Sequence, residues 1–176
     1  MRGLRREKPF RVFVDICNSI ADVNSELQKR GVDTTVYPSK VNFGTEEWLK
    51  VFAEALPFPG SAEAIQKLAE DFEVVYITSR PKIATFVTLR WLKLWGFPEG
   101  ELLIGVKDKA RYAKIFNPVF ALEDDPKIAK AYTELRVPVI VKKQPYNCSL
   151  ERNPLVVVVE DFMEVWQLGV ALSAFK

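Results

Sequence analysis

At 176 residues, 48% of them hydrophobic and 27% charged, the chain has the size and composition of one globular domain, which excludes disordered, collagen-like and low-complexity polypeptides. A balance of 25 basic against 23 acidic residues leaves a net charge of +2, which makes no electrostatic case for a nucleic acid polymer or an anionic membrane. There is no histidine, so Ser-His-Asp and Cys-His catalysis, HExxH zinc sites and histidine proton shuttles are excluded within the chain, while phosphoryl chemistry on carboxylates, lysine and hydroxyls stays open.

The run from Arg11 to Ile16 is apolar and rich in β-branched and aromatic residues, the texture of a buried strand. Asn18 or Ser19 is positioned to cap a following helix in which Ile20, Val23 and Leu27 fall at helical spacing and which Gly31 ends. From Val32 the texture changes. A helix is expected from Thr45, as N-cap, to Ala55, with Trp48, Leu49, Phe52 and Leu56 on one face, and the segment reads as an insertion without a strand. Alternation resumes with a helix capped by Ser61 and running to Glu70, and a strand over Glu73 to Thr78. Pro81 suits the first turn of a helix carrying Phe86, Leu89, Trp91, Leu92 and Trp95, stopped at Gly96-Phe97-Pro98. A short strand at Leu102 to Ile104, a helix from Asp108 to Ile115, a strand over Val119 to Leu122 and a helix opened by Asp125-Pro126 follow. Strands at Val139 to Val141 and Leu155 to Val159 and a helix from Phe162 to Leu168 complete the series.

Strands alternating with helices imply a doubly wound α/β fold whose parallel sheet is covered on both faces, with ligands bound beyond the carboxyl ends of the strands. The polar residues expected on that rim are Asp15, then Thr78-Ser79-Arg80, then Glu123-Asp124-Asp125. An aspartate at the end of an apolar strand is costly unless paired or metal-bound, although it also suits a helix N-cap. Three consecutive carboxylates repel one another unless a cation neutralises them; the alternative is a solvated turn, and Asp125 before Pro126 has the place of a helix cap. Thr78 and Ser79 suit a phosphate oxygen at a helix start as well as a simple turn. Phe43, Trp48 and Phe52 suit either stacking on a base or sugar or packing on the core. Cys17 and Cys148 make no metal-type spacing, and nothing favours a disulfide over two reduced thiols. The basic opening Met1 to Arg6 is followed by an apolar stretch broken at Asp15, so no signal peptide is read there and a cytoplasmic setting is expected; no stretch is long enough to span a bilayer.

Four of these stretches, in this order, resemble the motifs of the haloacid dehalogenase superfamily. They are Val12-Phe13-Val14-Asp15-Ile16-Cys17-Asn18-Ser19, then Val75-Tyr76-Ile77-Thr78-Ser79-Arg80-Pro81, then Lys109 in Lys107-Asp108-Lys109, then Glu123-Asp124-Asp125-Pro126. Finer texture resembles the deoxyribonucleotidase and related nucleotidase branch: Pro57-Phe58-Pro59-Gly60, Trp91-Leu92 with Gly96-Phe97-Pro98, and Pro145-Tyr146-Asn147. The resemblance implies a Rossmann-type three-layer sandwich in a single domain over residues 1–176. Its core covers about 10–31 and 57–170, with a small helical cap at about 32–56.

It further implies a Mg²⁺-dependent phosphohydrolase acting on small phosphomonoesters, nucleotides among them, in which Asp15 attacks phosphorus. The metal residues would be Asp15, the Cys17 carbonyl, Glu123 and Asp124, with either Glu123 or Asp125 beside Asp124. Thr78, Ser79, Arg80 and Lys109 would bind phosphate. The chain departs from the pattern at Cys17, where the family carries the aspartate that acts as general acid and base. A thiol, with a reference pKa near ~8.5, is mostly protonated at neutral pH and a weak base. Slow turnover is expected, or else a catalytically disabled protein that binds a phosphorylated ligand or a protein partner.

Overall fold

The computed structural model describes residues 10–174; the basic opening Met1 to Arg6 lies outside them. Six strands form one fully parallel sheet: β1 (Arg11–Val14), β2 (Glu73–Thr78), β3 (Glu101–Ile104), β4 (Ala121–Glu123), β5 (Val139–Lys142) and β6 (Val156–Val159). Their order is β3-β2-β1-β4-β5-β6. The chain winds outward from β1 to β3 and then returns to β4 on the other side of β1, so the crevice at the β1 and β4 carboxyl ends is the topological switch point.

Alternation along the strands builds two cores. Val12, Val14, Val74 and Tyr76 face one apolar layer, while Phe13, Val75 and Ile77 face the other. The first layer is covered by α1 (Val23–Lys29), α2 (Thr45–Glu54), α3 (Ser61–Asp71), α4 (Thr85–Leu94) and α7 (Met163–Ser173), the second by α5 (Lys109–Phe116) and α6 (Pro126–Glu134). Gly169 is where α7 comes close: a Cβ there would meet Leu68 and Phe120 at 2.8 Å, so a larger residue would push the helix off the core.

Several helix starts differ from expectation. The α1 cap is Asp22, whose carboxylate accepts from the Ser25 N–H; Asn18, in the preceding turn with a left-handed φ of 57°, shares the task, its Oδ1 accepting from the Asn24 N–H at 2.8 Å. Thr45 and Ser61 are first helical residues, with Gly44 and Gly60 as caps; the Gly60 φ of 75° favours glycine there, and the Ser61 hydroxyl donates to the Ile20 carbonyl. After Pro81 a short 3₁₀ turn, Lys82–Ala84, precedes α4, and α7 runs past Leu168 to Ser173. Leu56, Phe86 and Leu89 are exposed, since α2 and α4 bury other faces, among them Val51 and Phe52, and Trp91 and Leu92. Among the described residues no helix is long and apolar enough to cross a membrane, and both cysteines are free.

Residues 32–56 contribute α2 and an irregular stretch. Arg30 ties α1 to α2 through Glu47 and Glu54, each at 2.6 Å. The Trp91 indole N–H donates to the Ala55 carbonyl at 2.6 Å, and Val51 and Ala55 are wholly buried against the first layer.

Candidate active site

Asp15 is the first residue beyond β1, Glu123 closes β4 and Asp124 follows it. Since β1 and β4 are parallel neighbours, their ends bring three carboxylates together. One oxygen from each of Asp15, Glu123 and Asp124 lies within 4.8 Å of the others, and all three residues are buried. Lys109, at the start of α5 behind the Asp108 cap, reaches into this cluster: its ammonium donates to Asp15 Oδ1 at 2.5 Å and to Glu123 Oε2 at 2.8 Å. Burial pulls the Lys109 pKa down, but the carboxylates of Asp15 and Glu123 outweigh it and hold the ammonium well above its ordinary value. Burial pushes Glu123 up to about 7 despite Lys109, and pushes Asp124 well above the carboxylate range with help from Glu123 and Asp15.

The remaining oxygens are committed too. Ser19 Oγ donates toward both Asp15 Oδ2, at 3.0 Å, and Asp124 Oδ1, at 3.2 Å, so one hydroxyl proton serves two carboxylates. The Tyr146 hydroxyl donates to Asp124 Oδ2, Asn147 Nδ2 donates to the Asp124 carbonyl, and Glu123 Oε1 accepts from the N–H groups of Asp124 and Asp125. Asp125 caps α6 and accepts from the Tyr37 hydroxyl at 2.7 Å; the Tyr37 ring stacks on Tyr146 with centroids 4.4 Å apart.

The β2 end supplies Thr78, buried, and Ser79, exposed. Thr78 Oγ1 accepts from the Arg80 N–H at 3.3 Å. The Arg80 side chain turns toward Cys17 and the 32–56 segment: Nε donates to Cys17 Sγ at 3.2 Å, Nη1 to Thr88 Oγ1 at 3.2 Å, and the guanidinium lies 4.3 Å above the Phe52 ring. Burial pushes the Cys17 thiol up, with Arg80 pulling the other way. A cavity of about 350 Å³ opens here, bounded by Cys17, Asn18, Tyr37, Trp48, Phe52 and Arg80 among others.

Several comparisons bear on this arrangement. No protein-family model matches the chain. Over 170 residues it is 24% identical to the putative nucleotidase OB0422 of Oceanobacillus iheyensis, covering 90% of each chain. A haloacid dehalogenase-like family hydrolase from Xanthomonas campestris superposes with a TM-score of 0.64 at 13% identity, over 94% of this chain and 96% of that one. The class C acid phosphatase of Bacillus anthracis, solved with tungstate bound, gives 0.55 at 21% identity, over 74% of this chain and 63% of that one. The chain has a haloacid dehalogenase-like fold.

Within this haloacid dehalogenase-like fold, Thr78 and Ser79 stand at the end of β2, and the other site residues expected from sequence separate into two groups. Asp15, Lys109, Glu123 and Asp124 meet in one hydrogen-bonded cluster. Arg80 and Cys17 meet one another instead, at the edge of the cavity. Sequence reasoning missed Ser19, Tyr146, Asn147 and Tyr37. The only available signals are the place of Ser19, four residues after Asp15, and the Pro145-Tyr146-Asn147 stretch, whose texture assigns no role to its residues.

Proposed function

We propose that this protein is a Mg²⁺-dependent phosphohydrolase of small phosphomonoesters, nucleotides among them, with Asp15 as nucleophile. The observation that carries the reading is Asp15 held at a strand end between Lys109 and Ser19, beside Asp124. The donor set suits a hard divalent cation: the clustered groups are all carboxylates, they outnumber the one buried lysine, and a single Ser19 proton is shared by two of them. Asp15, Asp124 and the Cys17 carbonyl would hold the ion, with Glu123 alongside fixing Lys109. Bound there, Mg²⁺ would neutralise the carboxylates and polarise the phosphoryl group.

Lys109 keeps its proton and orients the Asp15 carboxylate while drawing phosphoryl oxygens toward it. Thr78 and Ser79 would hold a further phosphoryl oxygen. An Asp15 oxygen then bonds to phosphorus as the bond from phosphorus to the leaving-group oxygen breaks; the electron pair stays on that oxygen, which takes a proton. Water next bonds to the phosphorus of the aspartyl-phosphate and gives up a proton. The bond to Asp15 breaks, and inorganic phosphate leaves. Cys17 serves both proton transfers poorly, so turnover is slow. The nucleotide assignment draws support from the Oceanobacillus relative and from the aromatic wall of Tyr37, Trp48 and Phe52. A cytoplasmic setting is part of the proposal.

Phosphate release from nucleoside monophosphates and sugar phosphates, with and without Mg²⁺, tests the reading. Slow, metal-dependent release abolished by Asp15→Asn is expected, and release that survives either Asp15→Asn or chelation contradicts it. The second reading, a disabled member that binds its phosphorylated ligand without turnover, is favoured by the Cys17 thiol standing against Arg80. Metal-dependent binding without phosphate release would establish it.

A further inference from the structure

Two buried cations line this end of the sheet, and the chain treats them differently. Lys109 and Arg80 are each 2% exposed. Lys109 has two carboxylates against it. Arg80 contacts a sulfur, a hydroxyl and a ring face, makes no ion pair among the described residues, and its Nη2 has no hydrogen-bond partner. The nearby carboxylate oxygens of Asp15 and Asp124 are already engaged by Lys109, Ser19 and Tyr146. A buried charge without a counter-charge is strongly disfavoured, and a guanidinium with free N–H donors matches the planar or trigonal oxygens of carboxylate and phosphate.

Arg80 also borders the cavity, together with the polar side chains of Asn18 and Asn24. Cys17, on the same wall, holds the position that the resemblance gives to the proton donor of the leaving group, so the leaving group of a phosphoryl on Asp15 would occupy this space. The volume, about 350 Å³, suits a compact organic group. The transferred phosphoryl has Lys109, Thr78 and Ser79 near it, whereas the Arg80 nitrogens contact Cys17 and Thr88 of α4 and the guanidinium covers Phe52 of α2. We propose that Arg80 recognises a second anionic group, a carboxylate or a second phosphate, carried by the leaving group of the substrate. This inference rests on the phosphohydrolase reading and ranks phosphomonoesters with a negatively charged leaving group, nucleoside bisphosphates among them, above plain nucleoside monophosphates.

The test is calorimetric titration in Mg²⁺ of the Asp15→Asn protein, which blocks turnover, with two matched pairs. One pair is 3-phosphoglycerate against glycerol 3-phosphate; the other is adenosine 3′,5′-bisphosphate against adenosine 5′-monophosphate. In at least one pair the doubly anionic member should bind about tenfold tighter, and the pair that shows it tells carboxylate from phosphate. Adding Arg80→Gln should bring the ratio to about one. Adding Cys17→Asp instead, which sets a carboxylate against Arg80 Nε, should erase the preference with Arg80 intact, so the test survives if the Arg80 variant does not fold. Equal affinities within both pairs, no binding by any of the four, or a preference that persists in both variants overturns the inference. Phosphate release by the wild type, measured beside it, separates the two levels. Hydrolysis without the preference leaves the phosphohydrolase reading standing alone, and the preference without hydrolysis leaves the anion site standing alone.

Discussion

The rim formed by β1 and β4 and the cavity wall formed by α2 and Arg80 lie side by side yet are stabilised on different principles. At the rim every charged side chain has hydrogen-bond partners within the protein: Lys109 donates to Asp15 and Glu123, and Asp124 accepts from Ser19 and Tyr146. At the wall the aromatic rings stack on one another, Trp48 on Phe52 at 5.5 Å, and the one cation has no counter-charge. The rim is therefore organised before anything binds, and the wall is completed by its ligand. Changes at the rim should damage stability and chemistry together, whereas changes at the wall should alter selectivity with the fold kept.

The largest effect is expected from Lys109→Met. It leaves Asp15 and Glu123 facing one another without their shared cation, and removing one partner of a buried charge network typically costs about 3–5 kcal/mol. Thermal melts should show that loss, phosphatase activity should disappear, and Mg²⁺ should recover part of the stability by supplying positive charge. An unchanged melting temperature would break the contrast between rim and wall.

Asp124→Asn comes next. It should weaken Mg²⁺ binding by at least about tenfold, read by calorimetry. It should also change the pH dependence of the metal-free protein. Burial raises Glu123 to about 7 and Asp124 well above its ordinary value. Above the unfolded carboxylate value near ~4, the folded chain holds protons that the unfolded chain has released. Stability therefore falls as pH rises toward and through 7. With one such group removed, Asp124→Asn should lose less stability than the wild type between about pH 5 and about pH 8. Equal losses of unfolding free energy in the two proteins, read from denaturant titrations at the two pH values, would count against the assignment.

Cys17→Asp sits where the two regions touch. A carboxyl group there restores a proton donor and acceptor, worth roughly 10²–10⁴ in rate in general. Arg80 Nε, now 3.2 Å from Sγ, would favour its ionised form and so blunt its action as an acid. A rise in kcat at the lower end of that range is expected, with little change in KM for substrates whose leaving group is uncharged. Trp48→Ala should have the smallest effect on the fold: Trp48 is half-buried against Phe43 and Phe52, so KM for nucleotides should rise a few-fold while the melting temperature shifts little.

Much of the rim was legible because its parts stand at strand ends. The β2 boundaries at Glu73 and Thr78 follow from an unbroken β-branched and aromatic run, and Asp15 and Glu123-Asp124 are polar residues that interrupt such runs. Lys109 was legible only by resemblance, since Lys107 and Lys114 have the same chemistry; what selects it is its place one residue after the Asp108 cap. The contacts from Ser19 to Asp124 and from Tyr146 to Asp124 join residues 105 and 22 positions apart, and no local pattern records such pairings. The apolar residues of α4 do not reveal from sequence which of its faces is covered: Trp91 and Leu92 are buried, and Phe86 and Leu89 are exposed. The Arg80 environment was illegible for the same reason: its neighbours Cys17, Phe52 and Thr88 come from three separate elements.

The central claim is that Asp15 becomes phosphorylated in a site poorly equipped to release the phosphate. Acid quenching of the wild-type protein after incubation with Mg²⁺ and a hydrolysed phosphomonoester, followed by peptide mass spectrometry, tests it directly. A phosphorylated peptide containing Asp15 should accumulate in the wild type, be absent from Asp15→Asn and decline in Cys17→Asp as hydrolysis of the intermediate speeds up. Phosphate release with no adduct on Asp15 in either the wild type or Cys17→Asp would contradict it.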